Sequence, residues 1–208
     1  MIPIEFPCGK IMLEGIFSLP EGKGPFPLLI VCHPHPLYGG NMANNVVAAV
    51  CERAGAKGLA WLKFNFRGVG RSGGRFGSGI GEKEDVRAAV SFGQEQPGID
   101  GGRIGLCGYS FGSLVAFAAA VEDPRIRAIA GISPFIQPED LLQDYTHSKL
   151  FVWGDRDGFL DPKKLGQQVE KVPEPKEVAV FPGADHFWGG QEAPMAEKVV
   201  SFFIKNLL

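Results

Sequence analysis

The chain alternates short, continuous apolar runs with stretches of helical periodicity, and this alternation constrains its fold more than any other feature. Runs such as LLIVCH and RIGLCGY are typical of strands buried on both faces of a sheet. Stretches such as NMANNVVAAVCERAGA, which are typical of helices, separate these runs. Because strands that alternate with helices form mostly parallel sheets covered on both sides, the sequence predicts an α/β fold.

Eight strands and five helices follow from this pattern. The predicted strands are residues 2–6, 11–19, 28–33, 59–66, 103–109, 126–133, 148–154 and 176–183. The predicted helices are residues 41–56, 82–95, 111–122, 162–171 and 191–207. The turn signal PCGK joins the first two strands, so we expect an antiparallel hairpin there. No composition shift marks a boundary, and residues 1–208 are expected to form a single domain.

Charge and composition exclude several classes of function. The net charge is −2 and Lys and Arg do not cluster, so neither a nucleic-acid nor a membrane partner is expected. The longest apolar runs are far shorter than the roughly 20 residues that span a bilayer. The start of the chain does not resemble a secretory signal, and a cytoplasmic location is expected. The four cysteines, Cys8, Cys32, Cys51 and Cys107, have no metal-site spacing and are predicted to be small buried hydrophobes.

The pentapeptide GYSFG, Gly108 to Gly112, is the strongest candidate for a chemical function. Ser110 falls directly after a predicted strand and directly before a predicted helix, which is the context that gives a G-x-S-x-G match its meaning. Bulky side chains at 108 and 112 would collide with the neighbouring strand and helix. The backbone N–H of Phe111 opens the helix and can point at a developing oxyanion. Ser110 is therefore a candidate nucleophile.

A serine nucleophile needs a base and an acid that orients this base, and both follow later strands. His186 lies just beyond the last predicted strand and is the candidate base. Asp155 and Asp157 both follow the seventh strand; Asp157 is preferred, and Asp155 is the alternative. Asp161 precedes Pro162 and is explained as a helix N-cap.

The loop HPHPLYGGN after the first buried strand is expected to provide the second oxyanion donor. The prolines have no N–H, so His35 is the preferred donor and Leu37 the alternative. Tyr38 and Met42 are candidate walls of the acyl pocket, although loop packing alone would also explain Tyr38.

Two further motifs suggest a metal site and a dinucleotide-binding site, but the sequence supports each of them less well than a serine nucleophile. The pair His33 and His35 is compatible with a metal-dependent hydrolase, but no further ligands have a recognisable spacing, and neither a metal nor a cofactor is expected. Residues 68–73 match G-x-G-x-x-G, but no helix opens at Gly73, so the stretch from Arg67 to Gly74 is interpreted as a loop beside the site.

Five segments together resemble the α/β-hydrolase superfamily, and in particular its small, lidless bacterial serine hydrolases of the dienelactone-hydrolase-like group. These segments are HPHPLYGGNM, FNFRGVGRSGG, GYSFG, GDRD and GADHF. The resemblance implies an α/β-hydrolase fold, Asp157 as the acid of a Ser–Asp–His triad and His35 as the oxyanion donor. Many relatives insert a cap domain after the sixth strand, whereas residues 133–149 can hold only a short helix here. We therefore expect an open site.

The predicted function is a serine carboxylesterase that cleaves small or short-acyl esters through an acyl-enzyme. The alternatives are the same triad acting on thioesters or peptides or as an acyltransferase, and a non-catalytic binding module built on the same fold. The expected partner is a small ester substrate. An exposed edge strand or helix could also pair two copies into a homodimer.

Overall fold

In the computed structural model, which describes residues 1–208, all eight strands form one sheet and five α-helices cover it. The strands are β1 (Ile2–Cys8), β2 (Ile11–Ser18), β3 (Phe26–Cys32), β4 (Ala60–Phe64), β5 (Ile99–Tyr109), β6 (Ile126–Ile132), β7 (Ser148–Gly154) and β8 (Lys176–Phe181). The helices are α1 (Asn45–Ala56), α2 (Ile80–Gln94), α3 (Phe111–Ala120), α4 (Pro162–Glu170) and α5 (Glu192–Leu207). The predicted strand and helix counts are confirmed.

The strand order across the sheet is β1-β2-β4-β3-β5-β6-β7-β8. β2 pairs antiparallel with both β1 and β4, whereas every pair from β4 to β8 is parallel. The sheet is therefore mixed at one edge and parallel through its centre, as predicted. The carboxyl ends of β3, β5, β6, β7 and β8 meet at one edge, where parallel sheets carry their ligand sites.

The sheet separates two hydrophobic cores. Alternate residues of β3 point to opposite faces, so Leu28 and Ile30 join one core, whereas Leu29 and Val31 join the other. Helices α2, α3 and α4 cover the first core, and α1 and α5 cover the second. The continuous apolar runs in the sequence are thus explained by burial on both faces.

Helix α1 begins later than the sequence pattern predicts. The predicted start was residue 41, but the helix begins at Asn45 because Asn44 is its N-cap and accepts hydrogen bonds from Val46 N–H and Val47 N–H. The residues before it form a turn, in which the Asn41 side chain accepts a hydrogen bond from Ala43 N–H. The capping signal at 44 therefore outweighs the helical periodicity that precedes it.

The connection between β6 and β7 carries no inserted domain. Residues 133–147 form turns and bends without any helix, not even the short one that its length permits. The carboxyl edge of the sheet is consequently uncovered on this side, which agrees with the expected lidless architecture. No helix of the chain combines the length and apolar character needed to cross a bilayer.

All four cysteines are free thiols, and three of them, Cys32, Cys51 and Cys107, are buried as predicted. Cys8 is only partly buried, because it lies on the edge strand β1. Its Sγ is 3.4 Å from Asp85 Oδ1 and 3.6 Å from the Arg67 guanidinium. The prediction of a buried hydrophobe is thus wrong for Cys8, which takes part in a polar cluster.

Candidate active site

Ser110 lies on the tight turn between β5 and α3, with φ 54° and ψ −120°. This left-handed backbone is strained for a residue with a side chain. The glycines on either side make the turn possible. A Cβ at position 108 would overlap the backbone of Gly112 and Ser113, and a Cβ at position 112 would overlap the backbone of Cys32 and His33. The strand–turn–helix context predicted for GYSFG is therefore present.

The structure brings Ser110, His186 and Asp157 into one hydrogen-bonded chain. His186 Nε2 lies 3.0 Å from Ser110 Oγ. On its other side, His186 Nδ1 lies 2.8 Å from Asp157 Oδ2 and 3.0 Å from Oδ1. With Nδ1 protonated toward the carboxylate, Nε2 is free to accept the proton of the serine hydroxyl. All three residues are buried, so little water competes for these contacts.

Asp157 is held as a carboxylate. Burial raises its pKa, but hydrogen bonds from His186 and from the Phe159 N–H outweigh burial, and the net pKa lies below the ordinary value. The N–H groups of Phe159 and Leu160 donate to Oδ1 at 2.9 and 3.1 Å. The acid is therefore fixed in place by its own loop.

The other two acids of this loop lie elsewhere. Asp155 is exposed and accepts a hydrogen bond from Gly183 N–H at 2.6 Å, so it steadies the turn after β8. Asp161 caps α4 by accepting from Lys163 N–H and Lys164 N–H at 3.0 and 3.2 Å. Of the two sequence alternatives, the structure places Asp157 beside the imidazole and not Asp155.

Three residues that sequence reasoning missed hold the histidine loop. Tyr109 donates its hydroxyl to the backbone carbonyl of His186 at 2.7 Å. The indole of Trp188, a fully buried residue with φ 63°, donates to Ser133 Oγ at 3.2 Å. The Ser133 hydroxyl in turn contributes to the lowered pKa of Asp157. Only a buried tyrosine directly before the nucleophile could have been noticed in the sequence.

The two candidate oxyanion donors follow neighbouring strands, His35 after β3 and Phe111 after β5. Phe111 is the first residue of α3, where an N–H has no partner within the helix. His35 N–H donates to no other backbone group, and its ring lies 4.8 Å from the Phe111 ring. Leu37 N–H instead donates to His35 Nδ1 at 3.2 Å. The N–H of His35 is therefore available for an oxyanion, whereas the N–H of Leu37 is already bound.

His33 has a structural environment that its motif did not predict. It is fully buried, its Nδ1 lies 2.7 Å from Pro34 O, and its Nε2 accepts from Phe66 N–H at 3.0 Å. Burial lowers its pKa to about 4, so the ring is neutral at ordinary pH. Both ring nitrogens are committed to the backbone, and His33 ties the oxyanion loop to the loop after β4.

A cavity of about 880 Å³ opens above Ser110 at the carboxyl edge of the sheet. Its lining consists of Pro34, His35, Tyr38, Gly39, Gly40, Asn44, Phe76, Ser78, Tyr109, Ser110, Phe111, Leu114, Phe135, Gln137, Phe159, His186 and Phe187. Tyr38 lines this cavity as expected and is 88% exposed. Met42 does not line it; its backbone N–H donates to Asn65 Oδ1 at 2.8 Å. The pocket assignment of Met42 is corrected accordingly.

The connection from β4 to α2 is a loop that contains the glycine-rich stretch Arg67 to Gly74, and it contributes to the cavity through the residues after this stretch. Gly68, Gly70 and Gly74 adopt positive φ angles, and α2 begins only at Ile80. The strand-to-helix turn that binds a dinucleotide is therefore not formed at Gly73. The lining residues are Phe76 and Ser78, which lie just beyond the stretch that the sequence predicts to be a loop beside the site.

The dienelactone hydrolase family matches residues 80–199, which include Ser110, Asp157 and His186. The chain belongs to this family. An uncharacterized protein of Rickettsia prowazekii is 30% identical over 192 residues, which cover 86% of this chain and 79% of that protein. These findings confirm the resemblance and show that the chain is a member of a family of hydrolases.

Solved structures agree with the family assignment. An alpha-beta serine hydrolase homologue from Coxiella burnetii superposes with a TM-score of 0.88 at 31% identity, over 97% of this chain and 96% of that one. The protein XC6422 from Xanthomonas campestris, described as a serine hydrolase without lid, superposes with a TM-score of 0.85 at 27% identity, over 98% and 93% of the two chains. The lidless α/β-hydrolase fold is thus confirmed for this family member.

Proposed function

We propose that this dienelactone hydrolase family member is a serine carboxylesterase, which hydrolyses small esters through an acyl-enzyme on Ser110. The observation that carries the proposal is the unbroken chain of hydrogen bonds from Ser110 Oγ through His186 to Asp157. This chain opens into an uncapped cavity that an ester can enter from solvent. These two observations support acyl transfer at a site that needs no lid movement to admit its substrate.

In the proposed first step, His186 Nε2 takes the hydroxyl proton as Ser110 Oγ attacks the ester carbonyl carbon. Asp157 keeps the imidazole oriented and stabilises its cation. The N–H groups of Phe111 and His35 bind the oxyanion, and each such donor typically lowers the barrier by about 3–4 kcal/mol. The protonated imidazole then protonates the leaving alcohol. In the second step, water attacks the acyl-enzyme by the same route and releases the acid and Ser110.

The test is the intact mass of the protein after incubation with a fluorophosphonate, for the wild type and Ser110→Ala side by side, together with hydrolysis of p-nitrophenyl acetate. We expect one adduct on the wild type, none on Ser110→Ala, and a loss of several orders of magnitude in kcat/KM for the variant. A folded Ser110→Ala protein that keeps more than a tenth of the wild-type turnover would overturn the assignment. A wild type inert to both reagents would favour a binding module.

Thioester hydrolysis is the second candidate, because the same triad attacks thioesters and a relative is named for such an activity. The thiohydrolase aneE of Aspergillus aculeatus is 30% identical over 182 residues, which cover 83% of this chain but 54% of that protein. Matched acetyl esters and thioesters of similar leaving-group pKa distinguish the two candidates by their kcat/KM ratio.

A further inference from the structure

The wall of the active-site cavity has an unusual composition. Seven of its residues are phenylalanine or tyrosine, and none is aspartate, glutamate, lysine or arginine. The other polar side chains of the wall are those of Asn44, Ser78 and Gln137, which are neutral, beside the two histidines and Ser110. A substrate that enters this cavity therefore contacts mainly aromatic faces and edges and finds no counter-ion for a charge of its own.

The aromatic side chains form two groups, one around the ring of His35 and one beside the ring of His186. On the oxyanion side, the rings of Tyr38, Phe76 and Phe111 lie 4.8 to 5.1 Å from the ring of His35. On the histidine side, the ring of Phe159 lies 4.7 Å from the imidazole of His186 at an interplanar angle of 34°. We call the group of Tyr38, Phe76 and Phe111 the oxyanion wall, and the group of Phe159 and Phe187 the histidine wall.

The two rings of the histidine wall are exposed to solvent, and the backbone of Phe159 is held by a hydrogen bond. Phe159 is 64% exposed, and Phe187, whose ring lies 5.4 Å from it at 87°, is 58% exposed. Two large rings in contact with water beside the reacting atoms offer apolar area that only a bound ligand covers. The Phe159 N–H donates to Asp157 Oδ1 at 2.9 Å, so the same contact that holds the acid also places this ring.

The surrounding charges oppose a negatively charged substrate. Buried Asp157 accepts a hydrogen bond from the N–H of Phe159, and buried Glu82 accepts hydrogen bonds from the N–H groups of Gly77 and Gly79, in the loop that carries Phe76. A smaller groove of about 220 Å³ shares Phe135, Gln137 and Phe159 with the main cavity. Its one cation, Lys164, is accompanied by Asp161 and Glu139, so this groove offers no net positive charge. A carboxylate taken into either space would lose hydration without gaining a partner.

We propose that the cavity selects esters whose acyl group carries an uncharged, planar aromatic ring, and that Phe159 is a specificity-determining residue for this ring. The inference rests on the proposed esterase function and narrows its substrate class. An aromatic ring gains offset-stacked or edge-to-face contacts with the two walls, whereas a saturated ring of similar size gains only apolar burial.

The test compares kcat/KM for three methyl esters that differ only in the distal group. These are methyl 3-phenylpropanoate, methyl 3-cyclohexylpropanoate and methyl 3-(4-carboxyphenyl)propanoate. For the wild type we expect the phenyl ester to exceed the cyclohexyl ester by about tenfold and the carboxyphenyl ester by more than tenfold. Phe159→Leu keeps an apolar side chain without a ring, and should reduce the phenyl-to-cyclohexyl ratio to about threefold or less. Val178→Ala, on the exposed edge strand β8, is the control and should leave this ratio unchanged.

Two outcomes would overturn the proposal. One is a phenyl-to-cyclohexyl ratio near one in the wild type, and the other is a carboxyphenyl ester that is hydrolysed as fast as the phenyl ester. Labelling by a small alkyl fluorophosphonate keeps these outcomes separate from failure of the proposed function. A protein that is labelled but shows no aromatic preference retains the esterase proposal and loses this one, whereas an unlabelled, inactive protein loses both.

Discussion

A buried ionisable side chain lies at each end of β7: Lys149 near its start and Asp157 just after its end. The first is expected to matter for stability and the second for the proposed reaction. Near the start of the strand, Lys149 is fully buried and donates to the backbone carbonyls of Tyr145 and His147 at 2.8 and 2.9 Å. Just after the end of the strand, Asp157 faces His186, whose far side faces Ser110 and the cavity.

The two side chains differ in whether their hydrogen-bond partners can take up or release a proton. The partners of Lys149 are backbone carbonyls, which neither titrate nor move, so the ammonium group ties the 133–147 connection to the sheet. Burial lowers its pKa to about 8, yet no ligand site adjoins it. Asp157 has a titratable partner whose proton can move to and from a third group. The two buried groups therefore differ in one respect: the partner of Asp157 is itself an acid or base in contact with a cavity, whereas the partners of Lys149 are not.

The largest expected effect is the loss of ester hydrolysis when Asp157 is replaced. Asp157→Asn keeps the shape of the side chain but removes the charge that fixes the imidazole, so kcat for ester hydrolysis should fall by about 10³–10⁴-fold. Circular dichroism and thermal unfolding should show a folded protein. Asp155→Asn is the matched control from the same loop and should keep kcat within about threefold. Equal losses in the two variants would contradict the assignment of the acid.

At Lys149 we expect the opposite result, namely a loss of stability without a loss of reactivity at Ser110. Lys149→Ala removes a buried aliphatic stem and leaves two carbonyls without a donor, which should lower the free energy of unfolding by about 3 kcal/mol. Urea denaturation measures this loss. At a temperature where the variant is folded, its labelling rate with a fluorophosphonate should match the wild type. A slowed labelling rate would show that the 133–147 connection couples to the site.

His33 sharpens the comparison, because it lies on the catalytic side but is bound only to backbone groups. Its folded pKa of about 4 lies below the unfolded value of about 6.5, so its contribution to stability is complete above pH 6.5 and decreases as the pH falls toward 4. Between pH 6.5 and pH 5 this group alone should remove about 1.5 kcal/mol from the free energy of unfolding. His33→Gln keeps an acceptor for Phe66 N–H and should show a flatter pH dependence in urea titrations. An unchanged slope would contradict a buried, neutral His33.

The strands and the tight turn at Ser110 could be predicted because their signals are local. Apolar runs such as LLIVCH and the sequence GYSFG carry their own evidence, since burial on both faces and a tight strand-to-helix turn restrict residue type at adjacent positions. The start of α1 was missed because one side-chain cap at Asn44 overrides the periodicity of the preceding residues.

The contacts within the site depend on residues that are distant in the chain, and these contacts the sequence could not supply. Asp155 and Asp157 look alike in GDRD, and only the packing of the loop turns one toward His186 and the other toward Gly183. Likewise, nothing adjacent to Met42 shows that Asn65 would hold it outside the cavity. By itself the sequence determined the α/β fold and the tight turn at Ser110, because local sterics and burial dictate them, and it singled out His186 as the candidate base because this residue follows the last strand. The tertiary structure alone decided which aspartate lies against His186 and that the cavity wall is aromatic and uncharged, because both result from loops that meet only when the sheet has formed.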